Sequence, residues 1–315
     1  MAHKIREVYI VHHSHTDVGY TDLQEQVIYN QVNNIRRAVE LIVDGLEKGT
    51  NQKGLKWNCE TWYCVEQFLK VATKEEKKAF FDLVKKNSIG LSANYLNFND
   101  LADCEYLTEK INDMQEVCAK EGVTVKTAMF ADINGISMGQ RDAMLANGVE
   151  FLYTNIHTHH GMYPLYQNQK PYFWENEDGK RLLVWSGEHY NLGNALGIVF
   201  NKNVNFMTEN YFGKAQGDAA GALEKLHSNL IASMEEYEEN GYPYDFYITS
   251  VSGVFSDNAP INPSIADTVA LFNEKYSEEV TLRMVTLQEL YDLIRNKVAD
   301  APVYRGAIND WWGNG

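Results

Sequence analysis

The chain has 315 residues, 44% hydrophobic and 23% charged, the balance of a globular protein and not of a disordered or membrane-embedded one. With 28 basic and 43 acidic residues the formal net charge is −15, which repels phosphate backbones and argues against nucleic acid as a partner. No secretory leader pattern and no apolar run of about 18 residues is present, which argues against a membrane partner.

Val8, Tyr9, Ile10 and Val11 form an apolar, β-branched and aromatic run that predicts a buried first strand. In "HHSHTDVGY", three histidines and an aspartate follow where that strand ends. Gly19 permits a turn, and Thr21 with Gln24 has capping-box spacing at the start of a helix. Leu23, Val27, Ile35, Val39, Ile42 and Leu46 then recur at helical spacing through residues 21–48. Strands are expected at 55–60, 88–93, 125–132 and 149–155, with helices beginning in "TWYCVEQFLKVA" and spanning 104–122 and 138–148. Beyond these, 180–187, 245–253 and 280–285 read as strands, 219–241 as a long amphipathic helix, and a last helix starts at Thr286. Trp62, Trp174 and Trp185 are expected in the core.

Strand and helix patterns alternate without a linker or repeat, which predicts a parallel α/β barrel, with an open doubly wound sheet as the alternative. No Gly-x-Gly-x-x-Gly follows the first strand, which disfavours a dinucleotide site. Cys59, Cys64, Cys104 and Cys118 lack zinc-knuckle spacing and read as reduced thiols of a cytoplasmic protein.

In a barrel the loops after the strands share one face, so residues distant in sequence can meet there. Those loops carry His13, His15 and Asp17; Asn94, Asn97, Asn99 and Asp100; Asp132 and Asn134; Asn155, His157, His159 and His160; Glu188, His189 and Tyr190; Asp257 and Asn258; and Asn309, Asp310, Trp311 and Trp312. Imidazoles and carboxylates with almost no lysine or arginine suit a divalent metal, zinc first. His15 and Asp17, two apart on an extended segment, point to one face. The alternative for each polar residue is capping or solvating a loop.

"HHSHTDVGY" resembles the His-Ser-His-x-Asp-x-Gly-Trp signature of glycoside hydrolase family 38, the α-mannosidases, and "AMFADINGISMGQRDAML" resembles that family's nucleophile segment. "WNCETWYCVEQF" looks like the intervening strand and "FWENEDGKRLLVW" like a later hairpin. The resemblance implies a seven-stranded, distorted TIM-like β/α barrel of mostly parallel strands. It also implies zinc, or another divalent metal, on His15, Asp17 and Asp132, with the metal templating sugar hydroxyls. Asp132 would be the nucleophile of a retaining hydrolase of α-mannosides or related α-glycosides. Asp257, after "YITSVSG", is the acid/base candidate; its alternative is an Asx turn in Asp-Asn-Ala-Pro.

The chain departs from the family in three places. Tyr20 stands where the family has Trp, and still offers a ring to a sugar. The family's last histidine ligand has no counterpart in "INDWWGNG", where Asp310 is the oxygen donor at hand. An arginine near Asn155 is missing. His157, His189, Tyr190 and Trp311 join Tyr20 as substrate-facing candidates, with a polar surface loop as the alternative for "HTHHG". The whole chain, 1–315, is expected to be one catalytic domain, a fragment lacking the family's C-terminal helical and β domains. The expected partner is a carbohydrate, and the oligomeric state stays open. Two other readings compete: a metal- or sugar-binding barrel without hydrolysis, and a metal-dependent carbohydrate deacetylase. The second wants a His-x-x-x-His pair, which the chain lacks.

Overall fold

The first apolar run forms strand β1 (Glu7–His13), buried along all but its first residue. It lies between two parallel partners, β8 (Phe246–Ser252) and β9 (Thr281–Val285). Strands covered on both faces read as continuous apolar runs, which is why β1 and β8 show no alternation. The computed structural model describes residues 4–97, 102–133, 135–156, 165, 168–199, 219–254 and 257–308.

Five more strands form a second sheet in the order β10 (Val303–Tyr304), β6 (Lys170–Glu175), β7 (Arg181–His189), β5 (Phe151–Ile156) and β4 (Thr127–Phe130). The β6–β7 pair is the antiparallel hairpin anticipated from "FWENEDGKRLLVW"; its turn passes through Gly179 at φ +77°. β2 (Trp57–Cys59) and β3 (Ile89–Leu91) make a third, parallel pair.

The strands are mostly parallel, as expected, but the expected seven-stranded barrel does not form as one closed ladder among the described residues. Three sheets stand instead, and side chains cross their seams. β2 and β3 contribute only three residues each, so buried polar groups satisfy backbone that no neighbouring strand reaches. Asn58 Nδ2 donates to the His12 and Val285 carbonyls at 3.2 and 3.1 Å, while its Oδ1 accepts from Leu287 N at 2.8 Å. A Cβ at position 90 would stand 2.1 Å from Asn58 Oδ1, so this close approach requires Gly90. Between β3 and β4, Thr127 Oγ1 donates to the Leu91 carbonyl and Met129 N to Ser92 Oγ, at 3.0 and 2.9 Å. Tyr153 on β5 meets Ser250 on β8 at 2.9 Å between their hydroxyls.

Helices cover the sheets. α1 (Gln24–Lys48) buries Val27, Gln31, Val32, Asn34, Ile35, Ala38, Val39, Ile42 and Gly45 along one stripe. The capping box expected from Thr21 and Gln24 is absent: α1 starts behind Leu23 without a side-chain cap, and the Thr21 hydroxyl accepts from Asn258 Nδ2 instead. Capping boxes do open α3 (Lys74–Lys85), through Thr73 and Glu76, and α9 (Leu287–Ile294), through Thr286 and Glu289. The remaining helices are α2 (Trp62–Val71), α4 (Cys104–Lys120), α5 (Met138–Ala146), the short α6 (Leu192–Leu196), α7 (Ala219–Glu239) and α8 (Ile265–Tyr276). Neither α3 nor α8 is among the helices expected from the sequence. Trp62, Trp174 and Trp185 are buried in the core, as expected. No described helix is long and apolar enough to cross a membrane.

Candidate active site

Past β1 the chain is pinned onto the loop that follows β8. His15 N donates to Ser252 Oγ at 2.9 Å, and Ser14 Oγ to the Ala259 carbonyl at 2.8 Å. Asn258 is the main clasp. Its Oδ1 accepts from Gln31 Nε2 at 2.8 Å and Asp17 N at 3.2 Å; its Nδ2 donates to the Asp17 carbonyl at 2.9 Å and the Thr21 hydroxyl at 2.8 Å.

Held this way, His15 and Asp17 meet Asp132, which leaves β4 on left-handed backbone at φ +70°. His15 Nε2 lies 3.5 Å from Asp17 Oδ1 and 3.5 Å from Asp132 Oδ2. One ligand atom from each of the three residues falls within 4.8 Å of the others. The imidazole is buried and each carboxylate is 17% exposed, so the cluster opens outward through its aspartates.

Behind His15 stands Glu60, on the residue after β2. Its Oε1 accepts from His15 Nδ1 at 3.1 Å, from Thr16 N at 3.0 Å and from Asn97 Nδ2. Its Oε2 meets His13 Nδ1 at 2.5 Å, and His13 Nε2 donates to the Tyr190 carbonyl at 3.1 Å. Burial alone would raise the Glu60 carboxyl, but the neighbouring charges of His15 and His13 hold it well below the usual range. Burial opposes charge on His15 as well, yet Glu60, Asp132 and Asp17 together push it well above its ordinary value.

Asp257, after β8, accepts a 2.9 Å hydrogen bond from the Tyr190 hydroxyl. Burial raises its pKa above the ordinary aspartate value; the His15 charge and the Tyr190 hydroxyl pull it down, and the charges of Asp17 and Asp132 push it up. Tyr190 is 4% exposed, with ring centroids 4.2 Å from His15 and 4.4 Å from His189. The two candidate catalytic carboxyls therefore sense one another across a single cluster.

Two buried atoms at its centre, His15 Nε2 and Asp132 Oδ1, have no hydrogen-bond partner among the described residues. Buried polar atoms left unpaired are costly. One imidazole nitrogen with two aspartates fits a divalent cation, which would engage both orphaned atoms and offset the crowded negative charge.

The structure thus brings together His15, Asp17, Asp132, Asp257 and Tyr190. His189, partly buried, adjoins Tyr190. Tyr20 is 83% exposed on the loop beyond Asp17 and does not line the pocket floor. His157, His159, His160, Asn99, Asp100, Asn134, Asn309, Asp310, Trp311 and Trp312 lie outside the described residues. The three clustered histidines divide their work. His15 faces the aspartates and His13 props Glu60. His12, fully buried edge-on to Trp57 with ring centroids 5.0 Å apart, is a core residue whose pKa is depressed to about 3 by burial and by the charge of His13. Glu60 was not anticipated from the sequence; its signal was a lone acid directly after a strand, one position short of where His15 and Asp132 stand on theirs.

The family sequence model described as "Glycosyl hydrolases family 38 N-terminal domain" matches residues 6–307. The chain belongs to this family. Among solved structures, this family 38 domain is similar to an alpha-mannosidase from Enterococcus faecalis V583, at 16% identity and a TM-score of 0.68, covering 96% of this chain and 31% of that one. It is also similar to a protein in glycosyl hydrolase family 38 from Enterococcus faecalis, at 13% identity and TM-score 0.64, covering 97% and 29%. A 4-alpha-glucanotransferase from Thermococcus litoralis shares the fold at 12% identity and TM-score 0.56, covering 99% and 43%. The chain thus spans about a third of the length of the family 38 structures it matches. No curated protein sequence matches it.

Proposed function

We propose that this chain is the catalytic domain of a metal-dependent retaining glycoside hydrolase acting on α-mannosides or related α-glycosides. The observation that carries the reading is the meeting of Asp132, His15 and Asp17 in one cluster of donor atoms with a second carboxyl, Asp257, whose burial favours its protonated form. Retention needs that pairing of an ionised and a protonated carboxyl. His15, Asp17 and Asp132 would hold the metal, with Asp310 as the further ligand candidate. Zinc is the first choice for this donor set, and when bound it supplies Lewis-acid attachment for sugar hydroxyls and neutralises the carboxylates.

The chain's own residues do the rest. Asp132 attacks the anomeric carbon while Asp257 gives its proton to the departing glycosidic oxygen. The glycosyl–Asp132 ester then forms, and Asp257 is left ionised. In the second half Asp257 takes a proton from water, whose oxygen attacks the anomeric carbon and releases Asp132. Tyr190 holds Asp257 in place by its hydroxyl and lines the pocket with His189. Tyr20, His157 and Trp311 are the further candidates for contact with the substrate. Free Cys59, Cys64, Cys104 and Cys118 support a reducing, cytoplasmic setting.

The test is release of mannose from an aryl α-mannoside, with the anomer of the first-formed sugar followed by NMR. Wild-type protein should release the α-anomer, and Asp132→Ala should release none. A metal-loaded protein silent on every α-glycoside would leave a binding domain in place of a hydrolase.

A further inference from the structure

Glu60 is buried behind His15, and more donors converge on it than on any other residue of the site described above. Two histidine rings, a backbone amide and an asparagine amide all point at one carboxylate. A carboxylate whose oxygens face these donors acts as acceptor only. Nδ1 of the His15 ring therefore donates to Glu60, and Nε2 is the nitrogen presented to Asp17 and Asp132, where a bound cation would take the place of the Nε2 proton. Rotation of the ring about Cβ–Cγ would lose the Glu60 bond and turn Nε2 away from both aspartates. Glu60 cannot drift either: His13, fixed at its far nitrogen by the Tyr190 carbonyl, clamps Oε2, and Asn97 clamps Oε1.

We propose that Glu60 is the positioning residue of the metal centre, fixing the tautomer and orientation of His15 and so setting how tightly the divalent cation is held. This rests on the metal-dependent reading above and adds to it the group that makes His15 a ligand. A carboxylate behind a metal-bound imidazole also makes the nitrogen a better donor. His13 and Asn97 act one step further out, by holding Glu60.

Metal affinity decides it, read separately from hydrolysis. Zn²⁺ and Co²⁺ are titrated into metal-free wild type, Glu60→Gln and His15→Ala in competition with a chromophoric chelator, and the visible absorption of the cobalt forms is recorded. Expected are one bound ion in wild type, none in His15→Ala, and an affinity about 10–100-fold weaker in Glu60→Gln with an altered cobalt spectrum. A merely structural role would shift the melting temperature and leave the spectrum alone. Wild-type affinity and an unchanged spectrum in Glu60→Gln overturn the inference while the metal-dependent reading stands. No metal bound by wild type overturns both. Should Glu60→Gln fail to fold, ¹⁵N NMR of histidine in zinc-loaded wild type decides: metal on Nε2 with hydrogen on Nδ1 is expected for His15, and the reverse refutes the role.

Discussion

Removing the Asn258 side chain tests how the site is assembled. Its amide makes four hydrogen bonds, to Gln31, to both backbone groups of Asp17 and to Thr21. A net of about 0.5–1.5 kcal/mol each would give roughly 2–6 kcal/mol; partial exposure of the Asp17 loop and the other acceptors near Gln31 bring this to about 3 kcal/mol. The residue also sits at φ +55°, where a β-carbon is strained and glycine is not. Asn258→Gly therefore isolates the side chain, and Asn258→Ala adds about 1 kcal/mol of backbone strain. Urea unfolding should rank wild type above the glycine variant and the glycine variant above the alanine variant. Because Asn258 holds the loop of Asp17 and neighbours Asp257, kcat/KM should fall in both variants even where they remain fully folded. A glycine variant within about 1 kcal/mol of wild type, or one less stable than the alanine variant, would refute the reasoning.

Tyr190→Phe removes a hydrogen bond that favours the ionised form of Asp257, so the pKa of that acid rises further above its ordinary value. The proposed mechanism needs Asp257 protonated, so the alkaline limb of kcat/KM on a mannobiose should move to higher pH; an unmoved or acid-shifted limb contradicts the assignment. Glu188, under the Tyr247 hydroxyl at 3.1 Å, is pushed up to about 7 by burial. A carboxyl raised on folding lends stability below the unfolded carboxylate range and loses it as pH climbs through about 7. Glu188→Gln should therefore gain on wild type between pH 5 and pH 8, by up to roughly 2–3 kcal/mol, and a pH-independent difference in urea unfolding would count against it. Chelation should lower the melting temperature and abolish hydrolysis, and zinc at about 100 times its Kd should return about 2.7 kcal/mol of stability. A protein indifferent to chelator in both respects does not use His15, Asp17 and Asp132 as ligands.

Much of this was legible because it is local. Val8 to Val11 predict β1, the spacing of Val27, Ile35, Val39 and Ile42 predicts α1, and the polar residues after each strand predict which side carries the chemistry. His15, Asp17 and Asp132 were found this way, since each lies within four residues of the end of its strand. What was hidden depends on partners far along the chain. Thr21 has the spacing of a helix cap, but Asn258, 237 residues on, competes for its hydroxyl. Glu60 looks like any polar residue at a strand end until His13, His15 and Asn97 close around it. The continuity of the sheets was equally hidden. Whether a strand edge meets backbone or a side chain such as Asn58 depends on the length of its neighbour, which hydrophobic pattern does not encode.

Asp132 sets folding against chemistry at one position. Its left-handed backbone suits glycine or asparagine better than aspartate, and its inner oxygen is buried without a partner among the described residues. A chain chosen for stability alone would exchange it. On the proposed mechanism, Asp132→Asn and Asp132→Gly are then the substitutions by which a descendant of this domain would trade turnover for stability. A carboxylate at this position therefore costs the fold stability that the proposed chemistry would account for.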